Sequence, residues 1–584
     1  MKLRALTIKN FASIGEPGLT IPIDDIVVLI GPNNSGKSSV LSAYEAFAST
    51  GAALPLRSFR DEDSSKIISI GGLFTDLTDD DRETLGTKWE YDDPKYGRAV
   101  KAKWEWAAPD EKAQKYSWDN AEGKWVSGGM GSWDTLITSR IPVPLRVRPT
   151  DDPEETEKQI VEILTAAAKT ALKKDAKKAE SVLKELQTLA DEFAKDAQKE
   201  LDDACTRITK KLDDIFPGHK VSLQQSVGKI DPDKIIASGS HIRIEEPGKA
   251  PVPLSHQGAG MRRTFLWSAL GTLAEMGRVK QGTKKVDVER QRMLLIEEPE
   301  SFLHPPMIRS ARDALYDLAE IAEWQVLTCT HSPIFIDVSK PHTTIMRVEK
   351  KTTGEPKVFS TEVANFTADD RTQLRMIRSC HPTVSEFFFA DHVFLVEGET
   401  EQAMLNHALA TTPPADGTWC HVVNCMGKAN LPLFARILNH FGTSYTIVHD
   451  ADAPMSLRKT GWAKNGMWTV NKHISDVVAE RGGKLPACHL VAHIPDFEGF
   501  YFHDKFADDK PYHATAMANS LEFQKTDEYV QLMTFVESVL AGKHPACYVD
   551  YDDLVARIKK WRDAEKPTPL EAWEVEKHDD RTGT

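Results

Sequence analysis

Gly-Pro-Asn-Asn-Ser-Gly-Lys-Ser, residues 31–38, is the stretch that decides the fold of the first half of this chain. Residues 26–30 just before it are an unbroken apolar run, typical of a strand buried on both faces. Residues 38–47 are apolar at helical spacing. The eight residues therefore match the strand-loop-helix pattern G-x-x-x-x-G-K-[ST]. We interpret them as a phosphate-binding loop, and a chance match in a glycine-rich turn is the alternative.

Each residue type in this loop has a physical reason. Glycines let successive N–H groups converge on a phosphate, and the helix N-terminus adds partial positive charge. Lys37 can reach the β- and γ-phosphates, and the Ser38 hydroxyl can ligate Mg²⁺. We predict ATP as the cofactor, with Mg²⁺, and the loop residues assigned to it are Gly31, Asn33, Asn34, Ser35, Gly36, Lys37, Ser38 and Ser39.

Composition narrows the class of protein. The chain has 584 residues, 41% hydrophobic and 27% charged, which predicts several ordinary globular domains. No apolar run of about 18 residues and no signal peptide are present, so we expect no membrane partner. Seven cysteines without a C-x-x-C pair argue against structural zinc and disulfides, and favour a reducing cytoplasm. A net charge of −14 predicts no general attraction to nucleic acid, although local basic patches and bound metal ions can reverse the field near a site.

Four regions follow from changes in pattern along the chain. Residues 1–150 begin with the phosphate loop and continue as a strand-rich, antiparallel lobe. Residues 151–218 are dominated by Ala, Lys, Glu and Leu at helical spacing, which predicts a helical insert, either solvated or used for dimerisation. Residues 219–384 return to alternating strands and helices. Residues 385–584 form a second α/β region with a helical C-terminal extension.

Two more features of the first half fit nucleotide chemistry. The strand within residues 292–300 is apolar and ends in two carboxylates. In a phosphate-loop fold, Glu297 can hold Mg²⁺ through water and Glu298 can act as general base. His331 follows another buried strand and can sense the γ-phosphate, since ligands of α/β sheets bind at strand ends. A solvated sheet edge and a structural histidine are the alternatives.

Acidic residues also end two strands of the second half. Glu397 ends one apolar strand, and Glu401 falls on the first turn of the helix that follows. Asp450 and Asp452 end another strand, and period-2 alternation predicts that they point to the same side. Such groups converge at the carboxyl edge of a parallel sheet and repel unless divalent cations neutralise them. Oxygen ligands select Mg²⁺, Mn²⁺ or Ca²⁺. An acidic helix N-terminus and a plain loop are the alternative interpretation.

Together, the motifs of the first half resemble the ABC-type ATPase heads of the RecF/SMC group. The matching segments are residues 8–11, 31–38, 297–300, 303–305 and 330–332. On that resemblance, Ser255, Gly258 and Gly260 belong to a signature loop that binds the γ-phosphate held by a partner subunit, and two heads close on nucleotide. The usual Leu-Ser-Gly-Gly-Gln is altered in this loop, and the glutamine expected after the phosphate loop is absent before Gln114.

The acidic strand ends resemble those of a Toprim domain. An ABC-type ATPase followed by Toprim is similar to the OLD (overcoming lysogenization defect) family, which includes the nuclease subunit of Gabija anti-phage systems. Residues 424–430 are similar to the family's Gly-Lys-x-Asn loop. The resemblance assigns Asp496 and Glu498 to a second metal, and Lys510 to stabilising the pentavalent phosphate.

The sequence therefore predicts an α/β protein that is an ATP-regulated, metal-dependent DNA endonuclease, homo-oligomeric, acting in anti-phage defence with a possible helicase partner. The main rival is a RecF/SMC-type ATPase sensor or scaffold that binds nucleic acid or a partner without cutting. Primase or strand-passage chemistry is disfavoured, because no zinc module and no obvious catalytic tyrosine domain is present. Sequence preference and the direction of ATP control stay open.

Overall fold

The chain forms two compact units in a computed structural model, Met1–Pro356 and Lys357–Thr584. The residues that the structure describes are 1–127, 133–148, 154, 157, 202–213, 217–224, 241–262, 264–265, 291–321, 324–349, 357–381, 384–459, 461–481, 488–503, 506 and 508–577. The two units divide earlier than the boundary that the sequence predicts at 384. The four-part division of the chain stays a prediction, and most of the predicted insert 151–218 lies outside the described residues.

The first unit contains two main sheets and a small third one. Its strands, numbered in chain order, are β1 (Lys2–Lys9), β2 (Leu19–Pro22), β3 (Ile26–Ile30), β4 (Ile68–Thr75), β5 (Tyr91–Asp93), β6 (Gly97–Trp106), β7 (Gln114–Asp119), β8 (Lys124–Ser127), β9 (Val143–Val147), β10 (Lys220–Gln224), β11 (His241–Glu245), β12 (Val252–Pro253), β13 (Arg292–Glu297), β14 (Trp324–Cys329) and β15 (Thr343–Arg347).

An antiparallel sheet in the order β2-β1-β4-β6-β7-β8 forms the lobe that the sequence predicts, with β5 paired to β6. A parallel sheet contains the order β15-β3-β14-β13-β9. All five residues of β3 are buried, as an apolar strand with neighbours on both sides requires. The carboxyl ends of these parallel strands meet at one edge, so β3, β13 and β14 deliver the phosphate loop, the acidic pair and His331 to that edge.

Four helices of the first unit have both ends within the described residues, and they are Lys37–Ala48, Asp79–Leu85, Trp133–Arg140 and Pro305–Ala319. Residues 202–213 are also helical. The helix Lys37–Ala48 agrees with the predicted 38–47 and buries its apolar side, on which Phe47 stacks against Trp104 at 4.9 Å between ring centroids. The sequence also predicts an amphipathic helix over residues 261–276, most of which lies outside the described residues.

The second unit contains a parallel sheet with one antiparallel edge strand. Its strands are β16 (Lys357–Ser360), β17 (His392–Val396), β18 (Cys420–Asn424), β19 (Ser444–Asp450), β20 (Met455–Arg458), β21 (Gly461–Lys464), β22 (Cys488–His493) and β23 (Cys547–Tyr548). The order is β18-β17-β19-β22-β23, and only the β22–β23 pair within it is antiparallel. The four strands predicted near 393–397, 419–424, 444–449 and 488–494 are β17, β18, β19 and β22.

Helices cover this sheet and form the predicted helical extension. They are Thr361–Ala364, Ala368–Cys380, Glu399–Thr411, Leu431–Phe441, Gly466–Ala479, Phe497–Phe502, Lys510–Ala518, Asp527–Met533, Phe535–Leu540 and Tyr551–Glu565. The core beneath them includes Phe394, Phe497, Tyr501 and Phe535, all buried. Among the described helices, none is long and apolar enough to cross a membrane.

Candidate functional site

The phosphate loop depends on glycine at two points. Gly31 has φ 136°, and a Cβ there would lie 2.2 Å from the carbonyl oxygen of Val348. Gly36 precedes the helix Lys37–Ala48 with φ 108°, and a Cβ would lie 2.9 Å from Ser13 Oγ. Other residues would meet both steric contact and backbone strain at these positions. The loop therefore folds back tightly enough to aim its N–H groups at one point.

Lys37 is packed into this loop. Its Nζ donates to the carbonyl oxygens of Gly31 at 2.9 Å and Pro32 at 2.8 Å. Burial lowers the pKa of Lys37, while the charges of Glu298 and Glu300 act in the opposite direction. A buried ammonium bonded only to neutral carbonyls is poised to gain from an anionic ligand.

The remaining predicted loop residues divide by exposure. Asn33, Asn34 and Ser38 are exposed at the loop surface. Ser39 Oγ lies 2.7 Å from Ser13 Oγ. The Ser35 hydroxyl is buried and has no hydrogen-bond partner in the described part of the chain. An orphaned hydroxyl, a helix N-terminus and a buried lysine fit a triphosphate.

The acidic end of β13 carries an internal cation beside it. The Arg146 guanidinium, on the neighbouring strand β9, donates to Glu297 Oε1 and also lies 3.5 Å from Glu45. Glu298 adopts φ 42°, and its side chain accepts from Ser301 Oγ at 2.8 Å. The two predicted carboxylates thus have different partners, which suits different roles.

His331 is held by a residue that the sequence reasoning did not single out. Glu300 accepts from Thr330 Oγ1 and from the His331 N–H, both at 2.8 Å. Burial lowers the pKa of His331, and the positive charge of Lys37 lowers it further. His331 is therefore neutral near pH 7, able to donate a hydrogen bond without adding charge.

The predicted signature loop lies against the segment after β13. A Cβ on Gly260 would lie 2.4 Å from the carbonyl oxygen of Phe302, so only glycine fits there. Arg262 braces the loop by donating to the carbonyl oxygens of Ser255 at 3.1 Å and Gln257 at 2.9 Å. A Cβ on Gly258 would meet nothing within 4 Å. The role of this loop toward a partner's nucleotide stays a prediction.

In the second unit, three strand ends are tied together through carboxylates. Glu397, after β17, accepts from the N–H of Asp450 at 2.8 Å. Asp450, at the end of β19, accepts in turn from the N–H of Phe497 at 2.8 Å. Phe497 follows β22 and begins a helix. The predicted convergence of acidic strand ends at one edge of the sheet is therefore present in the structure.

The other predicted carboxylates surround this chain of bonds. Glu401 and Glu498 are both buried, in the first turns of their helices. Lys510 Nζ lies 3.0 Å from Glu498 Oε1. Asp496 caps its helix by accepting from the N–H of Gly499 at 2.7 Å. Desolvation lowers the pKa of Lys510, but its bond to Glu498 outweighs this and the net pKa is raised.

Strand alternation, from which the sequence places Asp450 and Asp452 on one side, does not extend to Asp452, and the shared side stays a prediction. Strand β19 ends at Asp450, and Asp452 lies beyond it with φ 58°, so period 2 does not reach it. Asp452 instead pairs with Lys428, whose Nζ lies 2.6 Å from Asp452 Oδ2 and 2.6 Å from the Asp450 carbonyl oxygen. Lys428 is only 3% exposed, whereas the Asp452 side chain is 31% exposed, so the pair is buried on the lysine side and open to solvent on the carboxylate side.

The electrostatics of this edge suit a hard divalent cation. Burial raises the pKa of Asp450, and the charges of Glu397, Glu401, Asp496 and Glu498 raise it further. Burial also raises the pKa of Glu397 to about 7. Carboxylates that oppose each other's ionisation this strongly are stabilised by cations with oxygen preference. The donor set therefore fits Mg²⁺, Mn²⁺ or Ca²⁺.

These carboxylates are not drawn into a closed ligand shell. Among the described residues, the one acidic and histidine group with all ligand atoms within 4.8 Å of one another is Asp24, Asp25 and His342, in the other unit. Backbone N–H groups and two lysines hold the carboxylates of the second unit in pairs instead.

Arg146, Glu300 and Lys428 are partners that the sequence-based site assignment missed. Lys428 and Glu300 carried a sequence signal, since Lys428 lies in the Gly-Lys-x-Asn loop and Glu300 in the matching segment 297–300. Tyr548 is a fourth, and its hydroxyl lies 2.7 Å from the buried His449, which precedes Asp450 and whose Nδ1 contacts the Asp450 carbonyl oxygen. These residues orient the predicted groups from a distance in sequence that spacing does not encode.

Comparison with known families assigns both halves. Residues 1–124 and 141–336 match the AAA ATPase domain family. Residues 388–452 match the family described as overcoming lysogenization defect protein-like, TOPRIM domain. The second match contains Glu397, Glu401, Lys428, Asp450 and Asp452.

Two curated relatives align with this chain. Old nuclease of Escherichia phage P2 is 24% identical over 472 residues, covering 77% of this chain and 77% of the relative. OLD nuclease of Thermus scotoductus is 26% identical over 267 residues, covering 43% of this chain and 48% of the relative.

Solved structures with partial similarity are SMC heads. One is the Smc head domain with an extended coiled coil bound to the C-terminal domain of ScpA from Pyrococcus furiosus, at 14% identity and TM-score 0.41, covering 65% of this chain and 99% of that chain. Another is the SMC head domain from Thermotoga maritima, at 13% identity and TM-score 0.33, covering 62% of this chain and 99% of that chain.

Replacing the buried lysine tests the electrostatics of the second unit. Lys428→Met leaves the partly exposed Asp452 without its cation, which should cost about 1–3 kcal/mol of unfolding free energy. Mg²⁺ or Mn²⁺ should restore more of the melting temperature in this variant than in the wild type. Thermal unfolding with and without metal measures both effects. Lys560→Met, which removes an exposed lysine, is the matched control, and equal melting of both variants would contradict the assigned role of Lys428.

The raised pKa of Glu397 predicts a pH dependence in the absence of metal. Because folding favours its protonated form, that stabilisation is complete below the ordinary pKa of 4.5 and is lost as the pH rises through about 7. In EDTA, the unfolding free energy of this unit should fall by up to about 3 kcal/mol across that window. Glu397→Gln should flatten the fall, as measured by urea unfolding at several pH values. An identical slope in both proteins would refute the assignment.

Proposed function

The chain belongs to the AAA ATPase domain family and carries an OLD-like Toprim domain, and from this we propose that it is an ATP-regulated, divalent-metal-dependent DNA endonuclease. The ATPase of the first unit is the regulatory site. The acidic edge of the second unit is where the phosphodiester bond is cut.

One observation carries this proposal. Glu397, Glu401, Asp450 and Glu498 meet at the carboxyl edge of one parallel sheet, with Lys510 beside them. A structural role for so many mutually repelling carboxylates is costly, because burial and the charges of their neighbours raise the pKa of Glu397, Glu401 and Asp450. Bound divalent cations would offset the repulsion between these carboxylates.

The roles of the residues follow from their positions. Glu397, Glu401, Asp450 and Asp452 would hold one metal, and Glu498 with Asp496 would hold a second. Bound there, the metals supply an activated water and a counter-charge for the leaving oxygen. Lys510 is half-exposed and offers a point charge to the phosphate. Lys428 holds the Asp-x-Asp turn through its bonds to the Asp450 carbonyl oxygen and the Asp452 carboxylate.

The first unit supplies nucleotide binding and hydrolysis. Lys37 and Ser38 would contact the phosphates and Mg²⁺, Glu297 would help to hold that ion, and Glu298 would act as general base toward a water. His331, whose backbone N–H donates to Glu300, would donate its side-chain N–H to the γ-phosphate. Closure of two such heads through Ser255, Gly258 and Gly260 would make the active assembly a homo-oligomer.

The setting of the activity is part of the same proposal. We assign the protein to anti-phage defence in the cytoplasm, with a helicase as a candidate partner protein. Co-purification with the product of a neighbouring reading frame tests the partner.

A second candidate function is an ATPase sensor whose Toprim domain binds nucleic acid without cutting. It is favoured by one observation, the internal neutralisation of Asp452 by Lys428 and of Glu498 by Lys510. Cleavage assays separate the two candidates, because only the nuclease needs Glu397.

Plasmid cleavage is the direct test of the endonuclease. With Mg²⁺ or Mn²⁺, the wild type should nick or linearise plasmid, and Glu397→Gln should lower the rate by at least about 100-fold, since an amide is a poor metal ligand. Glu399→Gln, on the exposed first turn two residues away, is the control and should cut normally. Cutting that persists in Glu397→Gln, or is absent from the wild type with both metals, would refute the proposal.

ATP turnover tests the first unit separately. Lys37→Ala removes the cation next to the phosphates and should lower the hydrolysis rate by at least about 100-fold. Lys112→Ala, an exposed lysine of the same unit, should hydrolyse normally. Phosphate release measured at saturating ATP decides the matter, and undiminished turnover in Lys37→Ala would overturn the phosphate-loop assignment. Comparing plasmid cleavage by the two variants, with and without ATP, then gives the direction of control.

A further inference from the structure

A separate two-stranded hairpin leaves the acidic edge directly after Asp452. Its strands β20 and β21 pair antiparallel with Met455 opposite Lys464, Leu457 opposite Trp462 and Arg458 opposite Gly461. It is a sheet of its own and does not extend the parallel sheet behind it. The hairpin contributes no residue to the proposed ATP site or to the proposed metal site.

The hairpin carries a local positive charge in an acidic protein. Residues 453–475 contain no Asp or Glu, whereas the chain as a whole has a net charge of −14. The same stretch contains four cations, Arg458, Lys459, Lys464 and Lys472. A basic segment of this length beside a cluster of carboxylates reverses the field that an approaching anion meets.

The cations are presented to solvent. Arg458, Lys459 and Lys464 are all exposed. Within the described part of the chain, neither Arg458 nor Lys459 forms an ion pair. Leu457 is 70% exposed opposite a half-buried Trp462, so apolar surface lies between the charges. Exposed cations interleaved with apolar and aromatic side chains are the usual surface for a nucleic-acid strand.

The hairpin is anchored at its base. Asn465 bonds back to the segment before β20, its N–H donating to the Pro454 carbonyl oxygen at 2.9 Å and its Nδ2 to that of Ala453 at 2.8 Å. Asn471 Nδ2 donates to the carbonyl oxygen of Ala451, inside the Asp-x-Asp turn, at 2.8 Å. These bonds close the base of the hairpin and hold the helix that follows it against the Asp-x-Asp turn.

The C-terminal extension supports it from one side. Strand β20 contacts the short helical turn Leu570–Trp573, and the inward residue Met455 is buried. That turn carries Glu571 as its own acidic group. The predicted helical extension therefore packs against the hairpin within the second unit.

We propose that the hairpin β20–β21 binds the phosphate backbone of the DNA beside the bond that is cut. Arg458 and Lys459 contact phosphates, and the short chain from Asp452 limits their distance from the metal ligands. Arg458 lies about six residues beyond Asp452, a reach of at most roughly 20 Å, which corresponds to about six nucleotides of duplex. This inference rests on the proposed nuclease function.

Simple solvation of a charged turn is the competing explanation. It does not account for the absence of acidic residues over the whole of 453–475, nor for the two bonds that close the base of the hairpin and the one that joins the following helix to the Asp-x-Asp turn. An acidic protein partner would use the same charges, and the experiment below distinguishes it because DNA affinity would then not change.

The test compares DNA binding by the full chain in a non-cutting background. Glu397→Gln protein is combined with Arg458→Ala/Lys459→Ala, and binding to a labelled duplex is measured by anisotropy at several salt concentrations. The dissociation constant should rise about tenfold, and the slope of log affinity against log salt should decrease in magnitude by about 2. Lys525→Ala/Lys543→Ala removes the same charge from exposed positions of the same unit and should leave both values unchanged.

Cleavage kinetics separate this inference from the proposed function. With Glu397 intact, Arg458→Ala/Lys459→Ala should raise the KM for DNA about tenfold and leave kcat and the ATP hydrolysis rate within twofold. Unchanged affinity, salt slope and KM in a wild type that cuts would overturn the role of the hairpin alone. A wild type that never cuts overturns the proposed function, and the binding measurement still decides whether the hairpin holds DNA.

Discussion

Convergence of like charges at the carboxyl edge of a parallel sheet is the constraint on which the second unit depends. Strands β17, β19 and β22 deliver carboxylates to one edge because parallel strands all end there. Left alone, these groups would repel and resist ionisation. Backbone N–H groups of Asp450 and Phe497 donate hydrogen bonds to these carboxylates. Lys428 and Lys510, which lie outside the strands, form ion pairs with them. Each of these hydrogen bonds and ion pairs reduces the repulsion between the carboxylates, and each also fixes the position of one of them.

The first unit also brings carboxylates together at the end of a buried parallel strand. Glu297 ends a buried strand, and Arg146 from the adjacent strand neutralises it at close range. Glu298 and Glu300 turn to hydroxyl and N–H donors instead. In both units, cationic side chains hold some of the carboxylates, and hydroxyl or backbone N–H donors hold the others. This arrangement separates groups that are alike in sequence into groups with different tasks.

Local sequence predicted the strands, the loop and the edge at which chemistry collects. The apolar run before Gly31 and the apolar runs before Glu297, Glu397 and Asp450 all became buried parallel strands. These signals are local, since a buried strand needs a continuous apolar run and a phosphate loop needs glycine at fixed spacing. For the same reason, the two classes of domain follow from short stretches and agree with the families that the chain matches.

Partners that come from far along the chain were not predictable in this way. Arg146 and Glu297 meet because β9 and β13 are neighbours in the sheet, and no periodicity relates them. Strand alternation does not extend to Asp452 because the strand ends two residues earlier and a positive φ redirects the backbone. A regular pattern predicts a side chain's direction only while the regular element lasts. Functional residues at strand ends lie where the regular element stops, so alternation does not predict the direction of their side chains.

The balance of charge at the acidic edge limits what can bind there. Glu397, Glu401, Asp450, Asp452, Asp496 and Glu498 carry six negative charges when ionised, and Lys428 with Lys510 returns two. The remaining four charges equal those of two divalent cations, the number that the proposed two-metal hydrolysis would use. One cation would leave the edge negative and would repel a phosphate backbone. Two would neutralise it, and the basic hairpin that begins after Asp452 would then attract an incoming phosphate, as the proposed contact with DNA needs.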